Sequence, residues 1–236
     1  GGGADWGGEN KGAGGSGGGT KSGKIETPFF MPVATKTAVK HISTCDLHGM
    51  KANAVISNAF VLFLRPGTEL IKKMGGIAKF MGFNGIVFTD SGGFQMYSPR
   101  LYVGSRIDGV IFRNPYTNQK LFVTPEKDME LQLDLGSDVA MCLDSMPLIS
   151  DSKASVAEAV RKTGIWAKKC RIHHDLMQKK LKKNEKQLLF GIIQGGIHPD
   201  LREKSARELV TLDFDGYSIG GLALGEPKED EYKMIE

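Results

Sequence analysis

Three polar side chains in this chain directly follow short apolar runs: Asp90 after IVFT, Asp144 after VAMCL and Gln194 after FGII. A fourth run, YSI, is followed by Gly220-Gly221. Glycine pairs recur at the other positions too, since Asp90 heads Ser91-Gly92-Gly93 with Phe94 next, and Gln194 heads Gly195-Gly196. Two carboxylates, an amide and exposed glycine backbone form a hydrogen-bonding set that suits a planar heterocycle. The carboxylates accept from ring N–H and amino groups and the amide donates to a carbonyl. Glycine N–H groups complete the edge, and the Phe94 ring stacks on the face. Phosphate is the competing ligand for glycine pairs, but two nearby carboxylates repel it. Taken singly, an Asp after a strand is well explained as the N-cap of the next helix. The repetition is what argues for a site.

Those residues matter only if the runs before them are strands of one sheet. Phe29–Val33, Ala54–Ser57, Ile86–Thr89, Asp138–Leu143, Leu188–Ile193 and Tyr217–Ile219 are continuously apolar rather than alternating, as parallel strands covered on both faces are. Helical patterns lie between them: Thr68–Met81 after Pro66-Gly67, Pro125 to a C-cap at Gly136, and a long helix opened by the capping box Ser155-Val156-Ala157-Glu158 and running towards Lys183. A further helix carries Pro199 in its first turn. Residues 101–123 alternate around Asn114-Pro115-Tyr116-Thr117-Asn118 and predict an inserted β-hairpin. The fold class is therefore α/β with a parallel sheet, open and doubly wound or closed as an eight-stranded barrel. In both, the carboxyl ends of the strands form the active face.

Composition sets the outer bounds. The 236 residues are 40% hydrophobic and 25% charged, which excludes collagenous, mucin-like and wholly disordered chains. Residues 1–23 hold twelve glycines and are expected to be a disordered tail, with the folded domain over residues 24–236. No apolar run approaches the roughly 20 residues needed to cross a bilayer, and a cytoplasmic protein is expected. Cys45, Cys142 and Cys170 form no C-x-x-C pair, and His173, His174 and His198 have no partner at metal-ligand spacing, so no metal or other cofactor is expected in this chain. The net charge of +4 permits a polyanionic partner without requiring one. The lysines at 179, 180, 182, 183 and 186 read as a solvated helix end.

From Ile25 to Glu236 the chain resembles the tRNA-guanine transglycosylase family. The resemblance is carried by TPFFMPV (27–33), LRPG (64–67), TDSGGFQ (89–95), TPE (124–126), LGSD (135–138), IIQGG (192–196) and IGGLALGEP (219–227). It implies a TIM (β/α)8 barrel, with six of its eight strands found here, that exchanges a guanine in tRNA for a 7-deazaguanine base through a covalent ribosyl-enzyme intermediate. It further implies that Asp90 is the general acid/base and that Ser91, Gly92, Gly93 and Phe94 line the base pocket. Asp144 and Gln194 would read the base edge, Gly221, Leu222 and Ala223 supply backbone contacts, Asn58 supports the nucleophile, and Glu226 closes the far side. The family's nucleophilic aspartate and its zinc site lie beyond GGLALGE, so the resemblance implies an inactive fragment whose parent binds zinc in its C-terminal part and forms homo- or heterodimers. Phe94, where bacterial members often have Tyr, leans towards an archaeal or eukaryote-like member. The alternatives are a non-catalytic tRNA-binding subunit of a heteromeric transglycosylase and an unrelated α/β enzyme acting on a phosphorylated metabolite.

Overall fold

The computed structural model describes residues 19–92 and 101–236. Gly93, Phe94 and residues 1–18 of the glycine-rich tail lie outside the described residues. Eight strands are present among the described residues: β1 (Ala54–Asn58), β2 (Ile86–Asp90), β3 (Tyr102–Arg106), β4 (Gly109–Arg113), β5 (Lys120–Val123), β6 (Val139–Met141), β7 (Leu188–Ile193) and β8 (Gly216–Ile219). The helices with them are α1 (Thr44–Gly49), α2 (Ala59–Leu64), α3 (Thr68–Lys73), α4 (Ile77–Met81), α5 (Pro125–Leu135), α6 (Lys153–Gln178), α7 (Pro199–Val210) and α8 (Lys228–Ile235). Five strands form a sheet in the order β1-β2-β6-β7-β8, and β1–β2, β2–β6 and β7–β8 are parallel pairs. Continuous apolar runs do become parallel strands here.

Two expectations of regular structure are corrected. The run Phe29–Val33 forms no full strand: Val33 makes a single parallel bridge to Ile56, flanked by bonds from Ile56 N–H to Pro32 O and from Ala34 N–H to Ile56 O. Pro32 has no N–H to donate, so the ladder cannot extend through it. The helix expected over Thr68–Met81 is two helices, because Gly75 and Gly76 have φ of 91° and 96° and break the α-helical path between Lys73 and Ile77.

The described residues divide into two compact units. The first takes in residues 19–90, Leu131–Ala140 and Met177–Leu188. Its core packs Leu47, Val55, Leu62, Ile71, Ile77, Phe83, Val87 and Leu135. Beside that core, a buried polar network holds the start of the sheet. The Asp138 carboxylate accepts Val87 N–H at 2.8 Å and Ser22 N–H at 3.0 Å, while the Gln187 amide donates to Gln132 O, Ser137 O and Ser137 Oγ. Ser22 belongs to the glycine-rich segment expected to be disordered through Gly23. Instead Thr20 and Gly23 close a turn, and Lys21 Nζ reaches Gly136 O at 2.8 Å.

The second unit takes in residues 91–92 and 101–130, Met141–Leu176 and Leu189–Glu236. Its expected hairpin is a three-stranded antiparallel sheet, β3-β4-β5. Asn114 turns the chain between β4 and β5 by accepting the N–H groups of Tyr116 and Thr117 on its side chain, and Asn118 takes the left-handed conformation. Helix α6 starts at Lys153 rather than at the predicted box, with the Ser152 hydroxyl accepting Ser155 N–H. Its fully buried Trp166 donates its ring N–H to Ile107 O in the β3–β4 turn. Among the described residues no helix is long and apolar enough to cross a membrane.

Candidate base-binding site

The polar residues predicted at the strand ends are there. Asn58 and Asp90 end β1 and β2 and face each other in register. Gln194 directly follows β7, Gly220 directly follows β8, and Asp144 lies three residues past β6. Parallel pairing brings the last residues of paired strands side by side within each unit, Asn58 with Asp90 in the first and the Gln194 and Gly220 positions in the second.

Within the second unit, Asp144, Gln194 and Ser91 are brought together and all three are buried. Gln194 Nε2 donates to Asp144 Oδ2 at 2.6 Å, and Ser91 Oγ donates to Asp144 Oδ1 at 3.4 Å. Burial pushes the Asp144 carboxyl up to about 6, against the opposing pull of the bonds from Gln194 and Ser91. The segment that carries Asp144 is fixed from α6: Cys170 Sγ accepts Leu143 N–H at 3.4 Å and Thr163 Oγ1 accepts Ser145 N–H at 2.9 Å. Cys142 and Cys170 are buried, and burial raises both thiols well above their ordinary range, so they serve packing rather than nucleophilic chemistry.

Gln194 is held on all sides. Its N–H donates to Ser205 Oγ of α7 at 3.1 Å. A Cβ added to Gly220 would lie 2.6 Å from Gln194 Nε2, and one added to Gly221, whose φ is +68°, would lie 2.4 Å from Gln194 Oε1. The glycine pair therefore exists because the Gln194 amide occupies the space a side chain would need. Gln194 Oε1 is buried and has no hydrogen-bond partner among the described residues. An amide donating to a base carbonyl was expected; here its N–H is engaged with Asp144.

The loop after β8 is shaped by Glu226. Its carboxylate accepts Ala223 N–H on Oε1 and Leu224 N–H on Oε2, the latter at 2.8 Å. Burial raises its pKa, but the bonds from loop N–H groups outweigh this and hold it below the usual carboxylate value. Ala223, at φ 61°, sits in the left-handed region inside this closed turn. Gly221 O accepts from Arg202 Nη2 at 3.4 Å. Of the expected backbone contributors Gly221, Leu222 and Ala223, Ala223 thus has its N–H bound within the loop and Gly221 its carbonyl bound by a helix α7 side chain.

In the first unit, Asn58 Nδ2 donates to Asp90 Oδ1 at 2.8 Å while Asn58 Oδ1 accepts Val61 N–H and caps α2. Asn58 was expected to support a nucleophile supplied elsewhere. It orients Asp90, whose peptide bond leads straight to Ser91. The residues sequence reasoning missed are Arg202, Ser205, Thr163 and Cys170, which fix the site from helices. A helix stripe with polar members was the available signal, since Leu201, Ser205 and Leu209 are spaced by four with Arg202 beside them.

Among the described residues no group of three or more His, Cys, Asp or Glu side chains could hold a metal ion. Buried carboxylate and amide groups at the carboxyl ends of parallel strands define an α/β protein with a candidate site on that side of the sheet. The family model for queuine tRNA-ribosyltransferase matches residues 18–236, and the chain belongs to that family. Proteins named queuine tRNA-ribosyltransferase from Staphylococcus aureus strains bovine RF122 / ET3-1 and N315 are each 46% identical to it over 217 residues, which cover 92% of this chain and 55% of theirs. The chain thus spans about half the length of the curated relatives it matches. These relatives are bacterial, whereas Phe94 leaned towards an archaeal or eukaryote-like member.

Proposed function

We propose that this chain carries the base-recognition half of a tRNA-guanine transglycosylase, which exchanges guanine in tRNA for a 7-deazaguanine base through a covalent ribosyl-enzyme intermediate. On this reading the five parallel strands belong to a TIM (β/α)8 barrel. The observation that carries it is the buried Asp144–Gln194 pair. The edge of guanine runs amino group, ring N–H, carbonyl, which is donor, donor, acceptor. Asp144 supplies two acceptor oxygens and Gln194 Nε2 a donor beside them, so a guanine edge can replace the Asp144–Gln194 bond with three of its own. Adenine, with an unprotonated N1 next to its amino group, presents the wrong order.

Breaking the N-glycosidic bond builds negative charge on the departing base and positive charge on the ribose. Asp90, oriented by Asn58, protonates the leaving guanine and takes a proton from the incoming base. A separate carboxylate must meet the anomeric carbon, and no role at that carbon is assigned to Asp144, whose oxygens face Gln194 and Ser91. The target nucleotide must leave its stack, at a cost of roughly a few kcal/mol that base contacts offset. The experiment is a titration of guanine and adenine into this chain, together with exchange of labelled guanine into tRNA by the whole gene product and its Asp90→Ala variant. Guanine-selective binding and loss of exchange in the variant are expected. Equal affinity for both bases refutes the recognition reading. Retained exchange removes Asp90 from the mechanism. Guanine binding with no exchange by the whole product supports the non-catalytic subunit instead.

A further inference from the structure

Helix α7 presents a cation to the base site that none of the chemistry above uses. Arg202 is buried, and its guanidinium donates from Nε to Gly196 O at 2.8 Å, from Nη1 to Ile193 O at 3.2 Å and from Nη2 to Gly221 O at 3.4 Å. Two of those carbonyls bracket Gln194 in the chain. The third belongs to the glycine that lies against the Gln194 amide. One turn along the same helix, Ser205 Oγ takes the Gln194 N–H. The chain after β7 lies directly on α7 as well, since a Cβ on Gly195 would stand 2.6 Å from Arg202 N. Burial lowers the guanidinium pKa to about 10, against the attraction of Glu226, and it stays charged at neutral pH.

We infer that Arg202 is a positioning residue for base recognition, tying the loops after β7 and β8 together so that the Gln194 amide is held where it meets the carbonyl of a bound base. This rests on the guanine-binding reading. A planar guanidinium reaches three carbonyls in fixed directions; a lysine ammonium on a flexible stem cannot reproduce that fork. Arg202 acts through Gln194, and Gln194 addresses one atom of the ligand. Its contribution is therefore specific to that atom, which separates positioning from general support of the fold.

The test compares guanine with 6-thioguanine, which keeps the ring N–H and amino donors but replaces the carbonyl oxygen with a weakly accepting sulfur. Affinities for both are measured by calorimetry on the wild-type chain and Arg202→Lys, with circular dichroism showing both folded. The variant is expected to lose about tenfold in guanine affinity and less than about threefold for 6-thioguanine. Equal losses for the two ligands, or none, overturn the inference. Should Arg202→Lys not fold, the wild-type Arg202 Nε–H resonance decides: it is expected to exchange slowly with solvent and to shift when guanine binds. Fast exchange, or a resonance unmoved by bound guanine, overturns it. A wild-type chain that binds neither base refutes the guanine-binding reading, while slow or fast exchange of that proton still decides whether Arg202 ties the loops.

Discussion

Replacing Asp144 by Asn should make the protein more stable at alkaline pH and unable to hold guanine. The folded carboxyl titrates at about 6, raised by burial from an ordinary value near 3.8. A gap of roughly two pKa units corresponds to about 3 kcal/mol between the two protonation states. The folded state holds this proton more tightly than the unfolded chain. Its stabilising contribution is therefore complete below about pH 4 and is lost as pH rises through about 6. Between about pH 5 and pH 8 the wild type should lose about 1.4 kcal/mol from this group alone. In Asp144→Asn the titrating group is gone, and Gln194 can rotate its amide so that the unpartnered Oε1 accepts from the new Nδ2. Urea unfolding of both proteins across that range gives the difference directly, since other titrating groups cancel. The variant should gain stability relative to wild type as pH rises, approaching about 3 kcal/mol less whatever the altered bonds cost. Guanine affinity should fall about a hundredfold, because an amide donor now faces the donors of the base. A wild-type minus variant difference that stays flat with pH, or a variant less stable than wild type at about pH 8, would refute the reasoning.

Three further outcomes are expected. Gly221→Ala forces a left-handed residue and puts a Cβ against Gln194 Oε1, so unfolding in urea should show a loss of about 1–3 kcal/mol together with loss of guanine binding. Asn58→Ala removes both the α2 cap and the donor to Asp90, which should cost about 1–2 kcal/mol in the same assay and slow guanine exchange by the whole gene product. Iodoacetamide on the native chain should modify exposed Cys45 and spare Cys142 and Cys170, with all three modified in urea; mass spectrometry counts the adducts, and rapid native labelling of Cys142 or Cys170 would contradict their burial.

The strands and the residues at their ends were legible because both are local. An apolar run and the polar residue after it are neighbours in sequence, so IVFT-Asp90 and FGII-Gln194 could be read without knowing any partner. What was not legible depends on faces and register. That Asn58 meets Asp90 follows from the parallel alignment Asn58↔Asp90, and nothing in either segment alone specifies it. The roles of Thr163, Cys170 and Arg202 depend on which side of a helix turns inward, and polar side chains on an apolar stripe are ordinarily read as noise in the pattern. The break in Thr68–Met81 was readable in principle from Gly75-Gly76, but the pair was outweighed by the helical period on either side. Pro32 likewise signalled that FFMPV could bridge but not pair as a full strand.

Buried polar groups cost stability unless every hydrogen bond is made, and a core under selection for stability alone replaces them with apolar side chains of similar volume. Asp144 and Gln194 are the opposite case. The carboxyl is raised by burial although two side chains bond it, and the amide beside it keeps an unpartnered Oε1. Each of these on its own has a bland explanation, since ion-pair networks also shift pKa values and native proteins contain a few unsatisfied atoms. They occur on residues in direct hydrogen-bond contact, at the carboxyl ends of parallel strands, with glycines clearing the space for the amide and an arginine and a serine from α7 holding the backbone around it. A structural pair needs none of that surrounding support to keep its own bond. A pair that must exchange its internal bond for bonds to a ligand edge does, because the donor and acceptors have to stay in place while they change partners.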